Sequence, residues 1–267
     1  CLMHGMEVDY YKKLFQTIGN ILDLIEKDDM PKYLLFLENA FPYMDNYNYH
    51  KGMKEIIQEL KVLLKTKSIG TDSDRALLLD FQATLETKPE KAIKLEKDAL
   101  AQIENITADN ARLVSNLHAN LGGLYRMNGY PDLAREHMEK SISLLDQFNL
   151  LHINDSIPQI ANYAMFLTEQ QEPERGISEL QKLSGIIKEY HSDDCLDYAK
   201  VQETLGTIYL MTANLSQAKT HFKKAFKIYE KIWADEPEMI EAKYREIQEL
   251  YPQIGFSIGK TLSGLLT

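Results

Sequence analysis

Few residues in this sequence have the type and spacing of a nucleotide-binding, metal-binding or catalytic site. A glycine-rich segment near the C-terminus runs from Gly255 to Thr261 and contains Gly259 followed by Lys260. A phosphate-binding loop has four residues between its glycines and follows a buried strand. Here three residues separate Gly255 from Gly259, and the preceding segment predicts a helix. We therefore expect no nucleotide site in this segment.

A second group of polar residues, His191 to Cys195, brings together possible metal ligands. A structural or catalytic metal would need further Cys or His side chains nearby, and the sequence places none there. The pattern favours an exposed turn. No Ser, Cys or Lys has a base at a spacing that predicts nucleophilic catalysis. We expect no catalytic residue, no metal and no cofactor, and hence a protein that is not an enzyme.

Composition limits the classes of partner. The net charge is −10, 26% of the residues are charged, and the mean hydropathy is −0.35. An acidic chain lacks the basic face that a phosphate backbone requires, so we expect no nucleic-acid partner. No run of 18 apolar residues is present, which predicts no membrane partner. The two cysteines, Cys1 and Cys195, are too few for a disulfide framework and indicate a reducing, cytoplasmic location.

The elements that position these residues repeat every 42 residues between Ser115 and Ile228. Small residues recur at two positions of the repeat, and larger apolar residues recur around them. The small set is Gly122, Ala164 and Gly206, with Ala92, Ala134, Gly176 and Ala218; the larger set is Tyr125, Met138, Leu167, Leu180, Tyr209 and Phe222. A fixed period of this length is typical of stacked helical hairpins. Because Gly inside a helix costs about 1 kcal/mol against Ala, the pair Gly122-Gly123 predicts a close helix approach.

These positions resemble those of the tetratricopeptide repeat family. The matching residues are Leu121, Gly122, Tyr125, Gly129, Ala134 and Ser141, then Leu205, Gly206, Tyr209, Ala218, Phe222 and Ala225. The longer period, with the segments 116–125 and 225–242, is similar to the kinesin-light-chain variety. The resemblance covers residues 111–235. It implies an all-α fold, a right-handed superhelix of about six helical hairpins, and binding of proteins or peptides.

Apolar periodicity and turn residues divide the chain into three parts. We expect degenerate hairpins that cap the array in residues 1–70. About four repeats are expected in residues 71–235, and a capping helix with a tail in residues 236–267. Helices are expected near 5–28, 31–43, 50–67, 73–86, 89–105, 109–127, 131–148, 156–171, 174–190, 195–212, 215–232 and 237–250.

The resemblance also implies which residues bind. In this family the first helix of each hairpin lines the concave surface. Transferring that register gives the candidate peptide-binding residues Asn116, Asn120, Arg126, Asn162, Glu169, Lys200 and Thr204. Asn side chains can pair with both donors and acceptors of a peptide backbone. The alternative, that these Asn side chains only bond neighbouring helices, stays open.

Two functions fit this organisation. The first is a non-catalytic scaffold that binds a protein or peptide. The second is the C-terminal sensor of a larger signal-transduction ATPase, similar to the NB-ARC and NACHT types, or of a transcription regulator. The opening Cys1-Leu2-Met3 is not a natural initiator sequence, so we expect a fragment of a longer polypeptide. Other domains of that polypeptide would then be among its partners.

Overall fold

The chain is helical throughout the part that the structure describes. The computed structural model describes residues 30–46, 50–66, 70–153 and 156–250. Those residues form eleven helices and no strand, which confirms the predicted all-α class. The helices are α1 (Met30–Asn46), α2 (His50–Thr66), α3 (Asp72–Thr84), α4 (Pro89–Leu100), α5 (Ala111–Met127), α6 (Pro131–Gln147), α7 (Ser156–Glu169), α8 (Pro173–Tyr190), α9 (Leu196–Met211), α10 (Leu215–Ile232) and α11 (Pro237–Leu250). The helix predicted at 5–28 and the segment Gly255–Thr261 lie outside the described residues.

The chain divides into two compact units, one ending at Gly129 and the other beginning at Tyr130. Each has its own apolar core. In the first unit Leu37, Leu60 and Leu117 are fully buried, and the rings of Phe41 and Phe81 stack with their centroids 3.9 Å apart. The fully buried residues of the second unit include Leu145, Ala164, Leu183, Leu205 and Phe222. The boundaries predicted at 70/71 and 235/236 stay predictions.

The turns that follow α5, α7 and α9 share one backbone conformation. Gly129, Gln171 and Ala213 lie 42 residues apart and have φ of 77°, 65° and 60°. After α7 and α9 the next N–H also closes the turn: Glu172 donates to the Leu167 carbonyl at 2.8 Å, and Asn214 donates to the Tyr209 carbonyl at 2.7 Å. This pattern satisfies the last carbonyls of a helix and requires a left-handed residue. The repeat therefore fixes the turn as well as the helices.

Helix starts use different devices. Pro89, Pro131 and Pro173 each open a helix, where a missing N–H costs nothing. At α3 the Thr71 hydroxyl accepts from the Asp74 N–H, and the Asp74 carboxylate accepts from the Thr71 N–H. Both contacts satisfy N–H groups that have no partner inside the helix.

Two predicted helix ends are wrong. Helix α4 ends at Leu100 rather than near 105, because the N–H groups of Gln102 and Ile103 turn back to carbonyls three residues earlier. Those turns bring Ile103 against the apolar core of the first unit. Helix α1 does not end at Pro42 but continues to Asn46. Phe41 and Met44 are buried on either side of the proline, and their burial holds the helical conformation there.

Close helix approach occurs at only some of the glycines. A Cβ built on Gly176 would lie 2.6 Å from the Ala164 carbonyl oxygen, and one on Gly206 would lie 3.0 Å from the Phe222 ring. A Cβ on Gly123 would meet nothing within 4 Å. The prediction of close approach at the Gly122-Gly123 pair is thus wrong for Gly123. Gly122 is buried.

Candidate functional site

The seven candidate binding residues lie on α5, α7 and α9, which the repeat register predicts to be first helices of hairpins. Asn120, Asn162, Glu169 and Lys200 are exposed, whereas Asn116, Arg126 and Thr204 are half-buried. Asn120, Asn162 and Thr204 occupy one register position, since they lie 42 residues apart. Each is followed by a buried residue of the hairpin core (Leu121, Tyr163 and Leu205). In each of the three helices, therefore, a polar side chain immediately precedes a buried core residue in the sequence.

Asn120 takes part in a hydrogen bond within the first unit. Its side-chain N–H donates to a carboxylate oxygen of Asp80 on α3 at 2.8 Å. The bond joins two first helices of neighbouring hairpins. For Asn120 the structure thus gives weight to the alternative that its amide positions a neighbouring helix.

Asp80, which is half-buried, belongs to an acidic pair that sequence reasoning missed. Its partner is Glu96 on α4, which is 2% exposed and has one carboxyl oxygen buried without a hydrogen-bond partner among the described residues. The repeat register contained the signal. Asp80 stands where later hairpins have Gly122, Ala164 and Gly206, and Glu96 stands where they have Met138, Leu180 and Phe222. A small and a large apolar residue are thus replaced by two carboxyl groups.

Burial makes this pair share a proton. Loss of solvent raises the pKa of Asp80 to about 6, although hydrogen bonds from Glu96 and Asn120 lower it. Burial first, and then the charge of Asp80, raise the pKa of Glu96 far above its usual range. Near pH 7 Glu96 is therefore the protonated member and donates to the Asp80 carboxylate.

The second unit presents its candidate residues on two helices in contact. Helices α7 and α9 pack against each other, and α7 carries the exposed Asn162. On α9 the Lys200 ammonium lies 3.7 Å from Asp197 one turn away, and both groups are partly exposed. The Thr204 hydroxyl donates to the Lys200 carbonyl at 3.0 Å, so its donor is used within the helix. The exposed candidate residues on these two helices are Asn162, Glu169 and Lys200.

A network of charges connects α6, α7 and α8. Glu172 lies 2.5 Å from both Arg135 and Arg175, and the Tyr163 hydroxyl donates to Glu139 at 2.8 Å. Hydrogen bonds from Arg175 and Arg135 lower the pKa of Glu172, whereas burial and Glu139 raise that of Tyr163. These side chains pair with one another and hold α7, the helix that carries Asn162, against α6 and α8.

A second cluster connects α9 to α10 and α11. Glu203 accepts from the Tyr229 hydroxyl at 2.6 Å and pairs with the Lys243 ammonium at 2.8 Å. Burial alone would lower the pKa of Lys243, but Glu203 and then Glu246 outweigh it, and the net pKa is raised. The last helix is therefore fixed to α9 by a partly buried ion pair.

The segment from His191 to Cys195 forms the turn before α9. The Cys195 sulfur accepts from the Tyr198 N–H at 3.4 Å and so caps the helix. His191 contacts the His152 carbonyl at 2.9 Å through Nε2. Within the described residues, no group of three or more His, Cys, Asp and Glu side chains could hold a metal ion. Among the same residues no helix has both the length and the apolar character needed to cross a membrane.

Comparison with known proteins identifies the repeats. Residues 156–231, which span α7 to α10, match the family model described as tetratricopeptide repeat. Over these four helices the sequence is that of tetratricopeptide repeats. No curated protein sequence shows a significant match to it.

Solved structures with the same fold extend beyond the matched segment. BtubC (BKLC) from P. vanneervenii is 16% identical with a TM-score of 0.61, and the match covers 85% of this chain and 92% of that one. A putative kinesin light chain from Podosopora anserina, with nearly identical TPR-like repeats, is 13% identical with a TM-score of 0.55. That match covers 73% of this chain and 96% of the other. At these identities the likeness concerns the fold alone, an all-α repeat array.

Tetratricopeptide repeats are generally protein-interaction scaffolds and typically have no catalytic activity of their own. The polar residues described above agree with that role. In the second unit they form ion pairs and caps that hold the helices, and they leave a few exposed groups on the first helices.

Proposed function

We propose that this chain is a non-catalytic scaffold that binds an extended segment of a partner protein along the first helices of its hairpins. One observation carries the proposal: α7 and α9 pack together, and Asn162 and Lys200 are exposed on them while nearby polar groups pair internally. Tyr163 and Glu203 are examples of such internally paired neighbours. A rigid frame with a few available donors is what peptide capture requires.

The chemistry of these groups suits a polypeptide backbone. Asn162 offers a donor and an acceptor, which match the N–H and C=O of one extended residue. Lys200 adds a cation that can pair with a backbone carbonyl or an acidic side chain. Glu169, exposed at the end of α7, would favour a basic residue in the partner. The proposed ligand is therefore an extended segment with both polar and charged residues.

The equivalent residues of α5 are a weaker test. Asn120 donates to Asp80, so its removal would affect the fold of the first unit as well as any ligand. Asn162 and Lys200 are a sharper test, because the ion pair of Lys200 with Asp197 lies within one helix and joins no second element. They are the residues to change first.

The experiment begins with peptides selected against the full chain from a random display library. The affinity of one selected peptide is then measured by calorimetry for the parent protein and for Asn162→Ala and Lys200→Ala. A hydrogen bond to a neutral backbone group predicts a loss of about two- to tenfold for Asn162→Ala, and a charged contact predicts about ten- to a hundredfold for Lys200→Ala. The Lys200 effect should shrink with added salt.

Matched controls lie on the second helices. Gln181 on α8 and Lys223 on α10 are exposed. Changing Gln181 to Ala removes an amide, as Asn162→Ala does, and changing Lys223 to Ala removes a positive charge, as Lys200→Ala does. Gln181→Ala and Lys223→Ala should leave the affinity unchanged. Equal losses in both sets would overturn the proposal, as would unchanged affinity in Asn162→Ala and Lys200→Ala.

A further inference from the structure

An open cavity of about 340 Å³ lies in the first unit, lined by residues of α2 and α3 together with Gly70 and Gln102. Its wall is mostly apolar and includes Leu64, Leu78 and Leu79. Ligand cavities of globular proteins begin at about this size. None of the candidate binding residues lines it, so it is a separate feature of the chain.

Cations surround this apolar wall. Lys61 and Lys65 lie one turn apart on α2, and Arg75 lies on α3. The Arg75 guanidinium pairs with Asp72 and donates to the Gly70 carbonyl at 2.7 Å, which fixes its position. Neither lysine pairs with a carboxylate within the part of the chain that the structure describes. The described lining contains three cationic side chains and no acidic one, although the whole chain has a net charge of −10.

An apolar wall surrounded by cations favours a ligand that has both an apolar part and an anionic group. A bare anion would use the lysines but leave the leucine wall against water. A peptide would bring backbone N–H and C=O groups against leucine side chains, where Gln102 is the one uncharged polar side chain in the described lining. Polar groups buried without partners are costly. A molecule with an aliphatic chain and a single anionic end avoids both costs.

We infer that this cavity binds an aliphatic carboxylate, with the chain against Leu64, Leu78 and Leu79 and the carboxylate beside Lys61 and Lys65. The two ammonium groups supply charge-assisted hydrogen bonds to the carboxylate. The leucines supply the apolar contact area. The inference is independent of the proposed partner binding, because the two sets of residues do not overlap.

The test is calorimetric titration of the full chain with hexanoate, octanoate, decanoate and dodecanoate. Each added CH₂ that enters the cavity should tighten binding by about fourfold. The gain should stop within the series, when the chain is longer than the cavity. Acetate and the neutral alcohol decanol are the anion-only and chain-only probes, and both should bind much more weakly than decanoate.

The variant pair uses one helix. Lys61→Gln with Lys65→Gln should weaken decanoate binding by about five- to tenfold and reduce its salt dependence, since only Arg75 remains as a cation in the described lining. The control, Lys51→Gln with Lys54→Gln, makes the same change of charge on α2 outside the cavity lining and should have no effect. The inference is overturned if no carboxylate binds, if decanol binds as tightly as decanoate, or if the two double variants behave alike.

Discussion

At the scale of single residues, Asp80 and Glu96 are the clearest departure from the repeat. The equivalent residues Gly206 and Phe222 are in close contact, since a Cβ on Gly206 would lie 3.0 Å from the Phe222 ring. In the first unit the same two positions carry carboxyl groups, and one oxygen of Glu96 has no partner. Replacing a buried polar pair by apolar residues of suitable shape often stabilises a protein, whereas removing one member leaves the other unpaired.

We predict that Asp80→Ala combined with Glu96→Met raises the free energy of unfolding by about 1–3 kcal/mol. The double change restores a small and a large apolar residue, as at the positions 42 residues later in the sequence, Gly122 and Met138. Urea denaturation of the double variant and of the parent measures the difference. Asp80→Ala alone is the control and should destabilise, because Glu96 then loses its acceptor. A double variant less stable than the parent would contradict the account.

The pair also predicts a dependence on pH. Because the folded pKa of Glu96 is raised, the folded state binds more protons than the unfolded state above pH ~4. The stabilisation is complete at low pH and is lost as pH rises. Glu96→Gln removes this titration, so its advantage over the parent should grow by about 1 kcal/mol per pH unit between pH 5 and 8. Thermal or urea unfolding across that range checks the slope, and parallel curves for the two proteins would refute it.

At the scale of helices and turns, the repeat fixes the backbone more strictly than the sequence shows. Gly129, Gln171 and Ala213 adopt the same left-handed conformation, but only the first is a residue that adopts it readily. The hydrogen bonds of each turn therefore hold Gln171 and Ala213 against their own preference. A sequence pattern based on glycine finds Gly129 and misses the other two.

We predict that Ala213→Gly stabilises the chain by about 0.5–1 kcal/mol, because Gly has no Cβ to oppose a φ of 60°. Gly129→Ala is the reverse change and should cost a similar amount. Both effects are measurable as shifts of the urea midpoint at constant slope. If Ala213→Gly destabilises, the turn after α9 does not have the conformation described.

Replacing two helix glycines by alanine is expected to change the stability in opposite directions. Gly176→Ala would place a methyl group 2.6 Å from the Ala164 carbonyl oxygen, so it should destabilise by about 1–3 kcal/mol. Gly123→Ala meets nothing within 4 Å and should stabilise by about 0.5–1 kcal/mol through helix propensity. Denaturation of the two variants side by side decides the point, and two changes of equal sign would contradict the packing described here.

The helices themselves were largely predictable. Apolar periodicity and the prolines at helix starts placed nine of the eleven described helices to within two residues at each end, and α10 matches its predicted bounds of 215–232. The predicted ends of α1 and α4 were wrong because of tertiary contacts. Burial of Phe41 and Met44 extends α1 past Pro42, and after α4 the chain turns so that Ile103 packs against the core. The candidate site was predictable only as a register. Pairing of Asn120 with Asp80 depends on a side chain of another hairpin, which a spacing rule does not reveal.

At the scale of the whole molecule, the two units differ in how strongly they keep the repeat. The matched family segment, 156–231, lies entirely in the unit that begins at Tyr130. The unit that ends at Gly129 contains the acidic pair and the cation-lined cavity instead. Binding of a partner is accordingly best tested in the second unit, where the repeat is regular.

The most direct test of the central claim is site-specific photo-cross-linking of the full chain to a bound partner segment. A photoreactive amino acid is placed at Asn162 on α7, at Thr204 on α9, or at the control positions Gln181 on α8 and Lys223 on α10. The account predicts adducts from positions 162 and 204 and none from 181 and 223. Adducts from the second helices alone, or equal yields from all four positions, would show that the first helices do not form the binding face.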